Sequence, residues 1–243
     1  MLASHEEWTQ TYKQNISAAY ARFTNFLRIP FDKPKYRPAE KLPFIPTEKE
    51  IDQLIAACGF RTSTFLTLLK ETGIRSGEAA KLTWNNTDLE RKTIKIVPQK
   101  HGRARELRIS ETLISLLNKI PKNSPLVFNA KVQTIRSNFA KQRKRVAIKL
   151  NNPRLNQLHC HSLRHWRATI EYQRTKSILN VQQMLGHRNI KNTMVYTHLI
   201  NFEANSYISR IIRNAKGARA LIEAGFEYVC TAPDGLMLFK KTK

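Results

Sequence analysis

Cysteine is scarce in this chain, and the few cysteines lie far apart. Cys58, Cys160 and Cys230 form no C-x-x-C pair, so the sequence predicts neither a disulfide framework nor a thiolate zinc site. It also contains no apolar run long enough to span a bilayer, and its N-terminal stretch lacks the basic-then-apolar pattern of a secretory signal. We therefore expect a cytoplasmic protein with reduced thiols and no membrane partner.

Acidic residues are few as well. The 243 residues include 18 Asp and Glu against 42 Lys and Arg, which gives a formal net charge of +24. A charge of this size opposes compaction unless an anionic partner lies nearby. Nucleic acid is the partner that such a charge favours, and an anionic membrane is the alternative. Hydrophobic residues still make up 41% of the chain, which is enough for a folded core.

The first two of four predicted segments precede the main body of the chain. Apolar side chains at steps of three and four residues predict a helix within residues 1–28, whose aromatic stripe must dock on something. Residues 29–46 hold half of the ten prolines and predict a stiff, basic linker. Lys33, Lys35 and Arg37 in this linker are placed to follow a phosphate backbone, although an ordinary surface connection explains them equally well.

The main body, residues 47–205, is predicted to be mostly helical with one β-hairpin. A capping box, T-E-K-E from Thr47, begins a helix that Gly59 is expected to end. The alternating stretch around residues 101–102 predicts the hairpin. The tail, residues 206–243, is predicted to begin as a helix and to end as a second hairpin with a Pro-Asp-Gly turn.

Residues 131–150 predict a strongly basic helix. The cations of its K-Q-R-K-R run are Lys141, Arg143, Lys144 and Arg145. The net charge of the chain favours contact between these side chains and DNA phosphates, and a solvated helix face is the alternative.

Further cations lie in two motifs of the main body. Arg75 follows a glycine break in T-G-I-R-S-G-E-A, at a predicted helix start, where a guanidinium and backbone N–H groups suit a phosphate. Glu78, one turn later, is placed to hold that guanidinium. Lys100 lies near the predicted hairpin tip, from which a flexible ammonium can reach a leaving oxygen. The rival donors nearby are His101, Arg103 and Arg105.

The stretch from His161 to Tyr196 is the most informative. In H-S-L-R-H, His161 and Arg164 are three residues apart, so on a helix they share a face and can contact one phosphate. His165, four residues after His161, raises the alternative of zinc, but the glutamate of H-E-x-x-H and a cysteine pair are missing. We therefore expect no metal and interpret His165 as a packed supporting residue. His187 follows a predicted glycine stop, and Tyr196 is expected on the next helix.

These motifs occur in the order seen in the tyrosine recombinases of the phage integrase family, which the chain resembles over about residues 46–200. The motifs are T-G-I-R-S-G-E, the hairpin lysine, H-S-L-R-H, L-G-H and T-M-V-Y-T-H. The region of Tyr196 and the tail look most like archaeal members. The resemblance implies the catalytic-domain fold of that family, mostly α with a small antiparallel β-sheet.

The resemblance also implies a function and a site. The protein would be a site-specific recombinase that cleaves and rejoins double-stranded DNA, as in integration and excision, and that assembles as a homotetramer on DNA. Tyr196 would attack the scissile phosphate and form a 3′-phosphotyrosine, while Arg75 and Arg164 stabilise the charge on the phosphate oxygens. These cations replace a metal ion, so no cofactor is implied. Each step requires that the Tyr196 hydroxyl reach a phosphate held by both guanidinium groups.

The remaining roles follow from the same resemblance. Lys100 would protonate the departing 5′ oxygen, His161 would accept the tyrosine proton, and His187 would donate a hydrogen bond to the phosphate. Family members carry a separate helical DNA-clamping domain before the linker, and we expect only its last helix within residues 1–28. The tail is expected to pack either on a neighbouring subunit or on its own domain.

Two other functions stay open at the level of the sequence. A type IB topoisomerase-like enzyme would use the same chemistry to relax DNA without a sequence requirement. A DNA-binding protein on an integrase scaffold would bind a specific sequence without cleaving it.

Overall fold

The computed structural model describes residues 7–37, 42–99, 102–197, 207–232 and 235–242. The chain forms two compact units, Met1–Arg167 and Ala168–Lys243. As expected, helices dominate and the strands form small antiparallel sheets. The helices are α1 (Gln10–Phe26), α2 (Glu48–Ala56), α3 (Phe60–Thr72), α4 (Ser76–Ala80), α5 (Glu111–Asn118), α6 (Val132–Lys149), α7 (Cys160–Thr175), α8 (Ile178–Leu185), α9 (Lys191–Met194) and α10 (Ala215–Glu223). The strands are β1 (Thr87–Asp88), β2 (Thr93–Ile96), β3 (Arg105–Arg108), β4 (Tyr207–Ile212), β5 (Glu227–Thr231) and β6 (Met237–Thr242).

The core of the first unit surrounds α3. The side chains of this helix that are completely buried include Phe65, Leu66, Leu68 and Leu69. The helix ends as predicted at Gly73, whose φ of 65° lies in the left-handed region that glycine adopts without a steric penalty. This turn leads directly into α4, so the end of a rigid core helix positions the first residues of the candidate site.

The capping box at Thr47 is confirmed, and its glutamate does more than cap α2. Glu50 accepts the Thr47 N–H at 2.8 Å and also accepts hydrogen bonds from Arg154 Nε at 3.1 Å and Asn152 Nδ2 at 3.2 Å. The buried carboxylate therefore ties α2 to the turn that precedes α7. The expectation that Gly59 ends α2 was wrong, because α2 ends at Ala56 and Gly59 is instead the N-cap of α3.

The predicted hairpin in the first unit is confirmed. Strands β2 and β3 pair antiparallel, with Thr93 opposite Arg108 and Ile96 opposite Arg105, and β1 adds a short third strand. One face of β2 enters the core through Ile94 and Ile96. The two predicted tip residues that lie outside the described part of the chain are Lys100 and His101.

The buried side chains of helix α1 are polar rather than aromatic. Its buried residues are Lys13, Ser17 and Thr24. The predicted aromatic stripe is exposed at Tyr12, Phe23 and Phe26, so its expected docking is not found in this structure. Local contacts partly replace it, since the ring of Tyr12 lies edge-on to that of Trp8 with 5.0 Å between centroids.

The second unit begins within α7 and includes α8, which Gly186 ends as predicted with a φ of 67°. The predicted helical start of the tail was wrong, because Tyr207–Ile212 forms β4 and the helix, α10, comes after it. The sequence Y-I-S-R-I-I has branched side chains that favour a strand, and β4 pairs with β6. The predicted hairpin of β5 and β6 is confirmed, and the sheet order is β4-β6-β5.

No helix in the described part of the chain has both the length and the apolar character needed to cross a membrane.

The Glu50 hydrogen bonds generate a prediction on stability. Burial alone would raise the pKa of Glu50, but the bonds from Thr47, Arg154 and Asn152 outweigh it and hold the pKa below the ordinary 4.5. The stabilisation is therefore complete above pH 4.5 and is lost as the pH falls through the lower pKa of the folded state. We expect Glu50→Gln to lower the free energy of unfolding at neutral pH, with a difference from wild type that shrinks below pH 4.5 in urea titrations. The exposed Glu90→Gln is the control, and a difference independent of pH would contradict the prediction.

Candidate active site

Arg75 lies at the N-cap of α4, two residues after the turn at Gly73. Its backbone N–H donates to Glu78 Oε2 at 3.0 Å, and its Nη1 donates to Glu78 Oε1, also at 3.0 Å. One carboxylate thus fixes both the main chain and the guanidinium, as the sequence predicts for Glu78. The Arg75 side chain remains partly exposed, so its guanidinium can still meet a ligand.

Glu78 is buried and binds a second guanidinium that belongs to β3. Arg105 Nη2 donates to Glu78 Oε2 at 2.8 Å. Burial alone would raise the pKa of Glu78, but the hydrogen bonds from Arg105 and Arg75 and the charges of both arginines hold it below its ordinary value. The sequence offered Arg105 only as a rival donor to Lys100, whereas the structure pairs it with the same carboxylate that holds Arg75.

Arg164 on α7 is anchored to the same turn. Its Nη1 donates to the carbonyl oxygen of Gly73 at 2.7 Å, and only 1% of the residue is exposed. Because Gly73 and Arg75 belong to one turn, this bond brings the two predicted arginines to the same region of the first unit.

His161 begins the same helix and lies on the wall of a cavity. Desolvation lowers its pKa below 6.5, and the charges of Arg164, Arg75 and Arg136 lower it further. The ring of His165 lies edge-on to it, with 4.5 Å between centroids. The pKa of His165 is lowered to about 4, mainly by desolvation and further by the nearby His161 and Arg164. Both imidazoles are therefore neutral at pH 7, so His161 can accept a proton.

A cavity of about 490 Å³ connects these elements of the first unit. It is lined by Arg75, Ser76, Gly77, Gln99, Arg136, Phe139, Ala140, Arg143, His159, Cys160 and His161. Three arginines and two histidines face it, and no Asp or Glu appears in this lining of described residues. The cavity is therefore suited to an anion that accepts several hydrogen bonds at once, as a phosphate does.

Arg136 is a member of this cavity that the sequence interpretation missed. It projects from α6, and its Nη2 and Nε lie 2.6 and 3.2 Å from Ser76 Oγ, next to Arg75. Gln99, in the hairpin loop after β2, also lines the cavity, and its Nε2 donates to the Gly77 carbonyl at 3.1 Å. Lys100 itself lies outside the described residues, so its predicted role stays a prediction.

Most of the predicted DNA-binding cations lie on the surface, whereas one does not. The exposed members of the set are Lys33, Lys35, Arg37, Arg103, Lys141, Lys144 and Arg145. Arg143 is buried and lines the cavity instead. The basic run on α6 therefore has two faces, of which one is solvated and one belongs to the candidate site.

His187 and Tyr196 belong to the second unit. His187 Nδ1 lies 2.9 Å from Thr193 Oγ1, which orients the ring. Tyr196 was expected on a helix, but it follows α9 by two residues. It is only 2% exposed and packs with Ala168, Val181 and Leu185. The phenol is thus held in an apolar cluster rather than presented at the surface.

Cys160 is unsuited to nucleophilic chemistry. Burial raises the pKa of its thiol to about 11, so it stays protonated at neutral pH. In the described part of the chain, no group of three or more His, Cys, Asp or Glu side chains is arranged to hold a metal ion.

The cavity of this helical unit carries guanidinium and imidazole groups on its wall, a lining that suits a phosphate. Residues 46–202 match the model of the phage integrase family, and the chain belongs to that family. It is 27% identical over 186 residues to the tyrosine recombinase XerA of Saccharolobus solfataricus, over 75% of this chain and 61% of that relative. The expected likeness to archaeal members is thereby confirmed, although the chain spans less than two thirds of that relative's length.

Solved structures identify the fold. The catalytic domain of bacteriophage HP1 integrase is 26% identical with a TM-score of 0.52, over 68% of this chain and 93% of that domain. A lambda integrase tetramer bound to a Holliday junction is 15% identical with a TM-score of 0.59, over 77% of this chain and 62% of that one. The predicted fold class, the tyrosine recombinase catalytic-domain fold, is confirmed.

The shared carboxylate of Glu78 yields a prediction on stability. Glu78→Gln removes the buried counter-charge of the Arg75 and Arg105 guanidinium groups, so we expect it to lower the free energy of unfolding by about 3 kcal/mol. Adding Arg105→Met should recover at least about 1 kcal/mol, because it removes one of the two stranded charges. Urea unfolding of both variants measures this coupling. Glu106→Gln on the exposed side of β3 is the control, and a purely additive double variant would refute the shared role.

Proposed function

We propose that this protein is a site-specific DNA recombinase that cleaves and rejoins double-stranded DNA through a 3′-phosphotyrosine intermediate. The observation that carries the proposal is the cavity wall on which Arg75 and His161 meet, beside an Arg164 that is anchored to the same turn. Family membership supports the reaction class. We also propose the four-part organisation of the chain, with an N-terminal helix, a basic linker, a catalytic part over residues 47–205 and a tail.

The two arginines supply charge where the reaction develops it. As a nucleophile adds to the scissile phosphorus, negative charge grows on the non-bridging oxygens. Arg75, held by Glu78 and partly exposed, would donate to those oxygens without reorganising, and Arg164, held by the Gly73 carbonyl, would donate once a phosphate reaches it. Donors fixed in advance are the most effective form of electrostatic catalysis.

Proton transfer completes the reaction. The Tyr196 oxygen would attack phosphorus as His161 accepts its proton, and the 5′ oxygen would leave with a proton from Lys100. The low pKa of His161 keeps its imidazole neutral and therefore able to accept that proton at pH 7. His187, oriented by Thr193, would donate to a phosphate oxygen. Rejoining reverses these transfers, because the phosphotyrosine ester conserves the energy of the cleaved bond.

The burial of Tyr196 adds a step to this scheme. Its hydroxyl must leave the cluster with Val181 and Leu185 before it can meet a phosphate. The residues around it support such a movement, since α9 is only one turn long and Asn189, Ile190 and Met194 are exposed. Assembly as a homotetramer on DNA, as the lambda integrase tetramer forms on a Holliday junction, is part of the proposal.

Replacing the nucleophile tests the reaction class directly. We expect wild-type protein to form a denaturant-resistant adduct with a pool of nicked, random-sequence duplexes, and Tyr196→Phe to form none while it binds the same DNA within about threefold, because one hydroxyl contributes little to phosphate binding. Denaturing electrophoresis measures the adduct. Tyr172→Phe, which alters another tyrosine packed on the same cluster, is the matched control and should retain it.

The outcomes separate the three functions. A wild-type protein that binds DNA without any adduct would be a DNA-binding protein. Relaxation of supercoiled plasmid without a sequence requirement would identify a topoisomerase-like enzyme. An adduct from Tyr196→Phe would reject Tyr196 as the nucleophile.

The pH dependence of adduct formation tests His161. Since only the neutral imidazole accepts a proton and its pKa lies below 6.5, the rate should fall to half its plateau only below pH 6.5 as the pH is lowered from 7. Arg136→Gln removes one of the charges that lower this pKa, so its decline should begin at higher pH. Single-turnover rates across this range measure both profiles. A wild-type rate already halved at pH 6.5 would contradict the assignment.

A further inference from the structure

We propose that the cavity binds two phosphates of one DNA strand rather than one, with Arg143 and His159 forming a second subsite for the phosphate next to the scissile one and Arg136 lying between the two. The identity of the strand rests on the proposed function, whereas the second anion subsite stands on the geometry of the cavity. The occupant is thus a bisphosphate in which a sugar separates two phosphoryl groups.

The size of the cavity first indicates a second occupant. Its volume is about 490 Å³, whereas a water molecule occupies about 30 Å³ in the liquid and sites for nucleotide-sized ligands begin near about 300 Å³. One phosphoryl group would leave most of this space to water. The hydrogen-bond donors on the wall also exceed those that one phosphate needs. Arg75 and His161 already lie there, and Arg136 and Arg143 add two further guanidinium groups.

Arg143 provides the strongest observation. Only 9% of the residue is exposed, yet no carboxylate pairs with it among the described residues. Its Nη1 donates to the Leu158 carbonyl at 2.7 Å and contacts His159 Nδ1 at 2.8 Å, while its buried Nε has no partner in the described part of the chain. A buried guanidinium without a counter-charge is strongly unfavourable. Here the side chain lines an acid-free cavity, so an anion in that cavity supplies the missing charge.

His159 complements this guanidinium. The Arg143 hydrogen bond falls on Nδ1, so in the neutral ring the proton lies on Nε2, which can donate to a phosphate oxygen. Desolvation and the neighbouring Arg143 charge lower the pKa of His159, so the ring does not add a further cation to the cavity before an anion binds. The side chain is exposed and lines the cavity.

Arg136 connects the two subsites. It lies seven residues before Arg143 on α6, a separation of about 10 Å along the helix axis, and Phe139 and Ala140 line the cavity between them. Its contact with Ser76 Oγ places it beside Arg75. A single helix face therefore presents one guanidinium at the Arg75 end of the cavity and another at the His159 end, as two successive phosphates require.

A purely structural role for Arg143 is the rival explanation. Its bond to the Leu158 carbonyl fastens α6 to the segment before α7, which would position His161 without any ligand. The two roles differ in a measurable way. Loss of a structural contact would weaken the binding of every ligand of the cavity, whereas loss of a subsite would weaken only the binding of a ligand with a second phosphate.

The test uses thymidine 3′,5′-bisphosphate as the two-phosphate probe. Thymidine 3′-monophosphate lacks the second phosphate, and thymidine 5′-diphosphate carries both phosphates at one end of the sugar. We expect wild type to bind the bisphosphate about tenfold more tightly than either probe in calorimetric titrations, since each charged contact to a phosphate is worth about one such factor. In Arg143→Gln, the ratio should fall toward one while the affinity for the monophosphate changes less than about twofold. Lys149→Gln, an exposed cation on the same helix, should keep the wild-type ratio.

Three results would overturn the second subsite. One is equal binding of the bisphosphate and the monophosphate by wild type, which needs no variant to interpret. Another is equal preference for thymidine 5′-diphosphate, which would indicate a response to total charge. The third is an Arg143→Gln protein whose affinities for the bisphosphate and the monophosphate fall by the same factor and whose melting temperature also falls, which is the result expected of a structural role. These measurements involve no strand cleavage, so a failed adduct assay would refute the recombinase and leave the second subsite standing.

Discussion

The repulsion among guanidinium groups that must share one small region is the constraint on which the rest of this structure depends. Two unit charges about 6 Å apart repel by about 3 kcal/mol at an effective dielectric constant of 20, so a cluster of arginines needs compensation before any ligand binds. Beside the candidate site, the buried carboxylate of Glu78 is shared by Arg75 and Arg105. Arg164 and Arg143 also donate to neutral oxygens, the Gly73 carbonyl and the Leu158 carbonyl respectively. The site is therefore fixed in shape but left short of negative charge, which is the condition for strong phosphate binding.

Histidine extends this arrangement without adding to the repulsion. Desolvation and the nearby arginines lower the pKa values of His159, His161 and His165, so each ring stays neutral at pH 7. A neutral imidazole can donate from one nitrogen and accept at the other, which a guanidinium cannot do. At this helix start the arginines that suit a phosphate also lower the pKa of His159 and His161, which are the neutral rings that the proposed reaction requires.

The sequence predicted those parts of the protein that local rules determine. The capping box at Thr47, the glycine stop at Gly73 and the hairpin of β2 and β3 depend on residues close in the chain, and the structure contains all three. The ordered motifs around Arg75 and His161 also identified the family. Their joint position on the cavity wall required the fold, since 86 residues separate them.

The errors arose where tertiary contacts outweigh local patterns. One face of α6 carries Arg136, Phe139, Ala140 and Arg143 at steps of three and four. The K-Q-R-K-R run overlaps this pattern, and its consecutive charges do not reveal which side chains share a face. The start of the tail was read as a helix, although its place as β4 depends on a partner strand thirty residues further along, at Met237 to Thr242. The aromatic stripe of α1 has the period of a docked face, yet the buried side chains of this helix are polar ones such as Ser17.

In the proposed reaction, the burial of Tyr196 means that the nucleophile must be released from its packing before it can react. The phosphate-binding groups belong to the first unit, whereas the phenol is stored among Val181 and Leu185 in the second. Exposing a side chain of this size costs about 2 kcal/mol, which leaves it outside the cluster in about one molecule in thirty. In the proposed reaction, packing in this apolar cluster would control when the phenol is available, and the arginines would position the phosphate that it attacks.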